Sequence, residues 1–281
     1  MVLSTSNTTN GESTWVLRHP DGRTEDITPT AAGHGPVLSP DGRSIAFALG
    51  HGDFSESFGW ESSRVAVLSL GSREVRVLSA DVPGATVRAL QWSADGSEVA
   101  FLRNSPAAPE VVAVDVDDGS ERRLLRLGDG QGAAASWSPD GRELLVVTSG
   151  PGNDVLQRYS VETGEHVVVP TGHTWIRDVA WSTDGRHVAM QADLPGAGRP
   201  RLYLLDVETG NSRPVDRRRG GPTSTSWSGP YLFYTYYDWA GKDEVVLMRW
   251  DSRTGERGQV TAPGLSLPAG WQATVSAPRC G

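Results

Sequence analysis

Apolar residues in this chain come in short runs separated by turn residues. Val99-Ala100-Phe101-Leu102, Leu144-Leu145-Val146-Val147 and Leu202-Tyr203-Leu204-Leu205-Asp206 are such runs. Val87-Arg88-Ala89-Leu90-Gln91-Trp92 alternates instead, as a half-buried strand does. The runs are bounded by Asp-Gly and Thr-Gly pairs, which tolerate the backbone that a tight hairpin needs. The pattern predicts many short antiparallel strands, in the order a, b, c, d, with a hairpin turn between a and b and another between c and d.

The turns recur. Leu38-Ser39-Pro40-Asp41-Gly42 is followed by Trp92-Ser93-Ala94-Asp95-Gly96, Trp137-Ser138-Pro139-Asp140-Gly141 and Trp181-Ser182-Thr183-Asp184-Gly185, with a degenerate copy at Trp227-Ser228-Gly229-Pro230. The serines stand 54, 45, 44 and 46 residues apart. A period in the forties, with a Trp before a tight turn, predicts a radial β-repeat of four-stranded blades, a β-propeller. Five full units are expected, at about 35–79, 86–128, 132–170, 175–216 and 222–262. A sixth blade is expected from the two ends, 1–30 with 268–278, taking strands b, c and d from the N-terminus and strand a from the C-terminus. Such pairing closes the ring and removes an exposed edge. The expectation is therefore one all-β domain over 1–281, a six-bladed propeller of four-stranded antiparallel blades. The repeated tryptophans are expected to pack between blades, and the turn aspartates to serve their own hairpins.

Charge narrows the partners. The net charge of −8 argues against a nucleic-acid backbone, and the only basic run is Arg217-Arg218-Arg219. No apolar run is long enough for a membrane span. The single cysteine, Cys280, permits no intrachain disulfide. The first residues lack a charged region followed by an apolar one, so the chain as given is expected in the cytoplasm, or in the periplasm or outside the cell if a leader precedes it.

Trp-Ser-Pro-Asp-Gly-Arg followed by an aliphatic strand resembles the WD40-like PD40 repeat of the bacterial TolB β-propeller family. The resemblance runs through nearly the whole chain. It implies a propeller of the kind found in TolB, in the non-catalytic domain of prolyl-oligopeptidase-like peptidases and in oligogalacturonate lyases. No Gly-x-Ser-x-Gly nucleophile motif is present, so the peptidase chemistry is not expected.

Function is expected at the end where the longer b-to-c and d-to-a connections gather. The most unusual of these, 50–61, accounts for the long first interval and holds His51, Asp53, Glu56, Phe58 and Trp60. His34 and His173 precede strand a of their units, and Gln191 ends a b strand. With His51 they form a candidate divalent-metal set, although no cofactor is otherwise expected. Tyr234, Tyr236, Tyr237, Asp238 and Trp239 end another b strand, and Trp175, Arg177 and Trp271 lie at entries to strand a. These aromatic and charged groups are candidates for ligand binding.

Two readings stay open. One is a non-catalytic scaffold that binds a protein or peptide. The other is a small-molecule lyase, hydrolase or cyclase working in a central funnel. There His51 or His173 would act as general base, with Asp53, Glu56 or Asp238 as acid or orienting group.

Overall fold

A computed structural model describes residues 1–7, 13–19, 21–31, 33–55, 59–127, 131–149, 154–194, 201–216, 221–237, 245–260 and 271–276. All regular structure among them is β. The first sheet holds β1 (Val2–Asn7), β2 (Ser13–Arg18) and β3 (Thr24–Asp26). The second holds β4 (Gly33–Leu38), β5 (Ser44–Ser55), β6 (Gly59–Ser69) and β7 (Val75–Val77). The third holds β8 (Thr86–Trp92), β9 (Glu98–Asn104), β10 (Glu110–Asp115) and β11 (Glu121–Arg126). The fourth holds β12 (Gln131–Trp137), β13 (Glu143–Ser149), β14 (Asp154–Ser160) and β15 (His166–Val168). The fifth holds β16 (Thr174–Trp181), β17 (His187–Asp193), β18 (Arg201–Asp206) and β19 (Ser212–Pro214). The sixth holds β20 (Gly221–Ser228), β21 (Tyr231–Tyr237), β22 (Val245–Asp251) and β23 (Arg257–Gln259). β24 (Trp271–Ser276) joins the first sheet, in the order β24-β1-β2-β3. Every pairing is antiparallel, so the ends of the chain share a sheet as the repeat predicts.

The chain divides into two compact units, Met1–Asp129 with Gly270–Pro278 and Gly130–Ala269 with Arg279–Gly281. The first unit contains the first three sheets and the second the other three. Within each, sheets pack face to face, which is why the middle strands read as unbroken apolar runs. β9, β13 and β17 are buried at nearly every position. The tryptophans join neighbours: Trp92 Nε1–H donates to Val37 O at 2.9 Å, and Trp227 Nε1–H to Ala180 O at 3.0 Å. Trp181 instead donates to Gly185 O in its own turn, at 3.0 Å.

Strand a lies at the edge of each sheet, where its outward N–H groups lack a strand partner. Side chains of the preceding sheet meet several of them. Leu38 N–H donates to Ser276 Oγ (2.9 Å), Val87 N–H to Ser63 Oγ (2.8 Å) and Trp181 N–H to Ser136 Oγ (2.9 Å). Asp178 does the same for the sixth sheet, accepting from both Thr225 N–H (3.0 Å) and Thr225 Oγ1 (2.7 Å). The pairing of strand a with strand b also shifts register in the second to sixth sheets, by a bulge that bends the edge. At the other edge, β15 and β23 are three residues long and exposed, too short to template aggregation.

Each Ser-x-Asp-Gly turn closes on itself. Ser39 Oγ donates to Asp41 Oδ1 (2.6 Å) and accepts Ser44 N–H (2.9 Å), while Asp41 Oδ1 accepts Arg43 N–H (3.0 Å). The same bonds recur at Ser93/Asp95, Ser138/Asp140 and Ser182/Asp184. Gly42, Gly96, Gly141 and Gly185 have φ between +71° and +76°, a left-handed backbone that favours glycine. In Asp41, Asp95 and Asp140 the serine hydroxyl and a backbone N–H hold the carboxyl below its usual range. Asp184 is lowered as well, by the same bonds acting against its desolvation. Because the folded pKa is depressed, this stabilisation is complete above the unfolded value near 3.8 and disappears as pH falls through the lower folded value. Replacing all four by Asn is expected to flatten the fall in urea midpoint on going below about pH 4. An unchanged acid limb would mean that the turns do not set it.

Candidate functional site

At the bulged end of the second sheet, His34 lies on β4 opposite Ala48. It is half-buried, and desolvation, with a smaller push from the Arg88 charge, lowers its pKa to about 4. His34 is therefore neutral near pH 7. His51 and Asp53 are exposed on β5. The connection expected over 50–61 is largely strand: β5 continues to Ser55 and β6 begins at Gly59, with Phe54 opposite Trp60. Glu56 and Phe58 lie outside the described residues.

The fifth sheet gathers the most polar chemistry. His173 is buried, 7% exposed, just before β16. Its Nδ1 donates to Thr171 O at 2.5 Å, and its ring meets the edge of Tyr203 with centroids 4.2 Å apart. Nε2 is buried without a hydrogen-bond partner. Between Thr174 and Asp178 the pairing with β17 skips, so that four steps on β16 face two on β17. This is a larger bulge than in the other sheets, and it carries Trp175 at φ +53°, a left-handed backbone that costs an aromatic residue about 1–3 kcal/mol. Trp175 is 60% exposed, and the Arg177 guanidinium sits 5.7 Å from its ring centroid. Asp193 faces Thr174 across the strands; its Oδ1 is buried without a partner. Desolvation raises the Asp193 carboxyl, against the Arg177 charge. Desolvation also raises Asp178, against the bonds from Thr225. Gln191 is buried opposite Asp178.

The tyrosines of the sixth sheet are placed differently from the expected binding surface. Tyr234 is fully buried, with its hydroxyl donating to Asp216 Oδ2 at 2.8 Å, and Tyr236 is 5% exposed. Both belong to the core between the fifth and sixth sheets, along with Trp227 and Trp250. They share a face as alternation requires, and that face is turned inward. Tyr237 pairs with Gly221 and Val245 at the end of β21. Asp238 and Trp239 lie outside the described residues. Trp271 opens β24, opposite Asn7.

The structure thus brings His173, Trp175, Arg177, Gln191 and Asp193 to one end of the fifth sheet, and His34 and His51 to one end of the second. The expected metal set of His34, His51, His173 and Gln191 is divided between the two units. Among the described residues no three His, Cys, Asp or Glu side chains are grouped as metal ligands. Tyr203, which covers His173, was not singled out from sequence. It stands mid-strand in β18, where nothing local marks it.

No protein-family model matches the sequence. An uncharacterized protein of Agrobacterium fabrum is 27% identical over 157 residues, 52% of this chain and 53% of that protein. The chain thus spans about half the length of the curated relative it matches. TolB from Acinetobacter baumannii superposes with a TM-score of 0.70 at 18% identity, over 91% of this chain and 62% of its own. An oligogalacturonate lyase from Vibrio parahaemolyticus gives 0.59 at 18% identity, over 92% and 73%. Among the described residues no helix is long and apolar enough to cross a membrane. With its sheets of four antiparallel strands, this chain has a TolB-like β-propeller fold.

Proposed function

We propose that this chain is a six-bladed, single-domain propeller acting as a non-catalytic scaffold. It binds a protein or peptide segment at the loop end of its channel, with Trp175 and Arg177 as the anchor. The observation that carries this reading is Trp175, exposed and held in a strained backbone by the widest bulge among the described residues. Strain of this kind persists where the surroundings impose it, and it clusters at binding sites. Exposed Trp beside Arg is the composition of interface hot spots. The proposal includes no cofactor.

A second reading, a small-molecule enzyme, draws on His173. A carbonyl can only accept, so Nδ1 carries a proton, and Nε2 is the ring nitrogen left to serve as a general base. That atom is covered, which favours the scaffold.

Native mass spectrometry of the full chain, gently purified from its host, tests both. A bound protein or peptide whose affinity falls on Trp175→Ala by about 2 kcal/mol, roughly thirtyfold, is the expected result. A bound small molecule turned over by the wild type and untouched by His173→Ala would overturn the scaffold. Binding unchanged by Trp175→Ala would remove the anchor.

A further inference from the structure

Trp175 is not the only exposed apolar residue at its end of the fifth sheet. Leu194, one residue past β17, is exposed as well, and the pairing of Thr174 with Asp193 brings the two to the same rim. Among the described residues five large apolar side chains are exposed; the other three, Val77, Val167 and Val168, sit on outer strands. Two arginines frame the rim. Arg177 lies within the bulge of β16, and Arg201 opens β18 opposite Ala192. Strands a and c of one sheet are two strand spacings apart, about 10 Å. Exposed apolar groups rimmed by charge mark a binding surface.

Both arginines are exposed, and neither has an ion-pair partner among the described residues. Arg177 rests against the Trp175 ring, a contact that leaves the N–H groups of its planar fork for a ligand. The carboxylates on the same strands are turned elsewhere. Asp178 accepts from Thr225 of the sixth sheet, and Asp193 has its Oδ1 buried. The net charge of −8 repels a long polyanion, whereas a short acidic segment senses chiefly the charges within a Debye length, about 8 Å at physiological salt.

We propose that the partner bound at this end of the fifth sheet is a short acidic segment of a protein. Its carboxylates take charge-assisted bonds from Arg177 and Arg201, while apolar residues between them cover Trp175 and Leu194. A basic segment is opposed by the same two arginines. This rests on the scaffold reading and gives its partner a chemical class.

The test is fluorescence anisotropy on the full chain with a labelled peptide of about six residues alternating glutamate and leucine, which at about 20 Å extended can reach both arginines. Counterparts with glutamine or lysine in place of glutamate are measured beside it. The glutamate peptide is expected to bind with a Kd below about 1 mM, at least about tenfold tighter than the glutamine peptide. Trp175→Ala is expected to weaken both. Arg177→Glu/Arg201→Glu is expected to lose the glutamate peptide and gain the lysine one, an exchange that misfolding cannot produce. The proposal fails if the glutamate peptide does not bind by about 1 mM, or if the charge-reversed variant binds it as well as wild type. Equal binding of the glutamate and glutamine peptides, lost with Trp175→Ala, would retain the scaffold and discard the acidic partner. Arginine-dependent binding untouched by Trp175→Ala would keep the acidic partner and remove the scaffold's anchor.

Discussion

Arg103→Ala is expected to lower the unfolding free energy by about 3–5 kcal/mol, the cost of breaking a buried ion network from one side. Arg103 is 6% exposed in the middle of the third sheet. Its guanidinium bonds Glu110 at 3.1 Å and Glu121 at 2.5 Å, so one side chain on β9 ties together β10 and β11. Glu121 also accepts Ala80 N–H at 2.7 Å, which anchors the segment after β7 of the second sheet. The plane of Arg103 lies over Phe101, 5.2 Å from the ring centroid. Alanine would leave two carboxylates facing each other with no cation between them. Chemical denaturation of Arg103→Ala, Glu110→Gln and the double variant measures the coupling. If the double variant is as destabilised as the sum of the singles, the network carries no pairwise energy and the prediction fails. Lysine is expected to rescue only in part, because a single ammonium cannot reproduce the fork that reaches both glutamates.

Trp227→Ala is expected to cost about 3–5 kcal/mol, the range for deleting a buried aromatic side chain. Trp227 is 3% exposed, and its ring meets Trp250 edge to face at 6.1 Å. Its indole N–H reaches back to Ala180 O in the fifth sheet. Two contributions are separable. Trp227→Phe keeps most of the apolar bulk and removes the donor, so it is expected to cost about 1–3 kcal/mol, for an acceptor left unmet in the core. Thermal unfolding of the three proteins orders them wild type, Phe, Ala. Phe as stable as wild type would show that the bond to Ala180 is replaced by water, and that packing alone seats the sheet.

The architecture was readable because its signals are local. Ser39, Asp41, Gly42 and Ser44 bond one another within five residues, and four copies of that arrangement mark where strand b begins. The pairing of Trp271–Ser276 with Val2–Asn7 was also readable, since each end carried part of a repeat that only the other could complete. The candidate site was less so. Tyr234 and Tyr236 were expected on a binding surface; alternation correctly puts them on one face, but which face is inward depends on Trp227 and Asp216. The 50–61 segment reads as a loop because its glycines and serines interrupt any alternation. Its described residues, 50–55 and 59–61, are strand because β5 finds β6 and the pairing continues past Leu49. Trp175 was singled out by residue type, while the strain that distinguishes it was invisible.

What this sequence determined by itself is the repeat: strand order, turn positions and the sharing of the final sheet by both ends. Those follow from hydrogen bonds that span a few residues and from a period of apolar runs. Only the tertiary structure decided which polar groups are buried, which aromatic faces inward and how far a strand pair runs. These depend on residues some 40 or more positions away, as with Asp178 and Thr225 or Trp92 and Val37. Desolvation is a property of the packed sheets, and no local pattern encodes it.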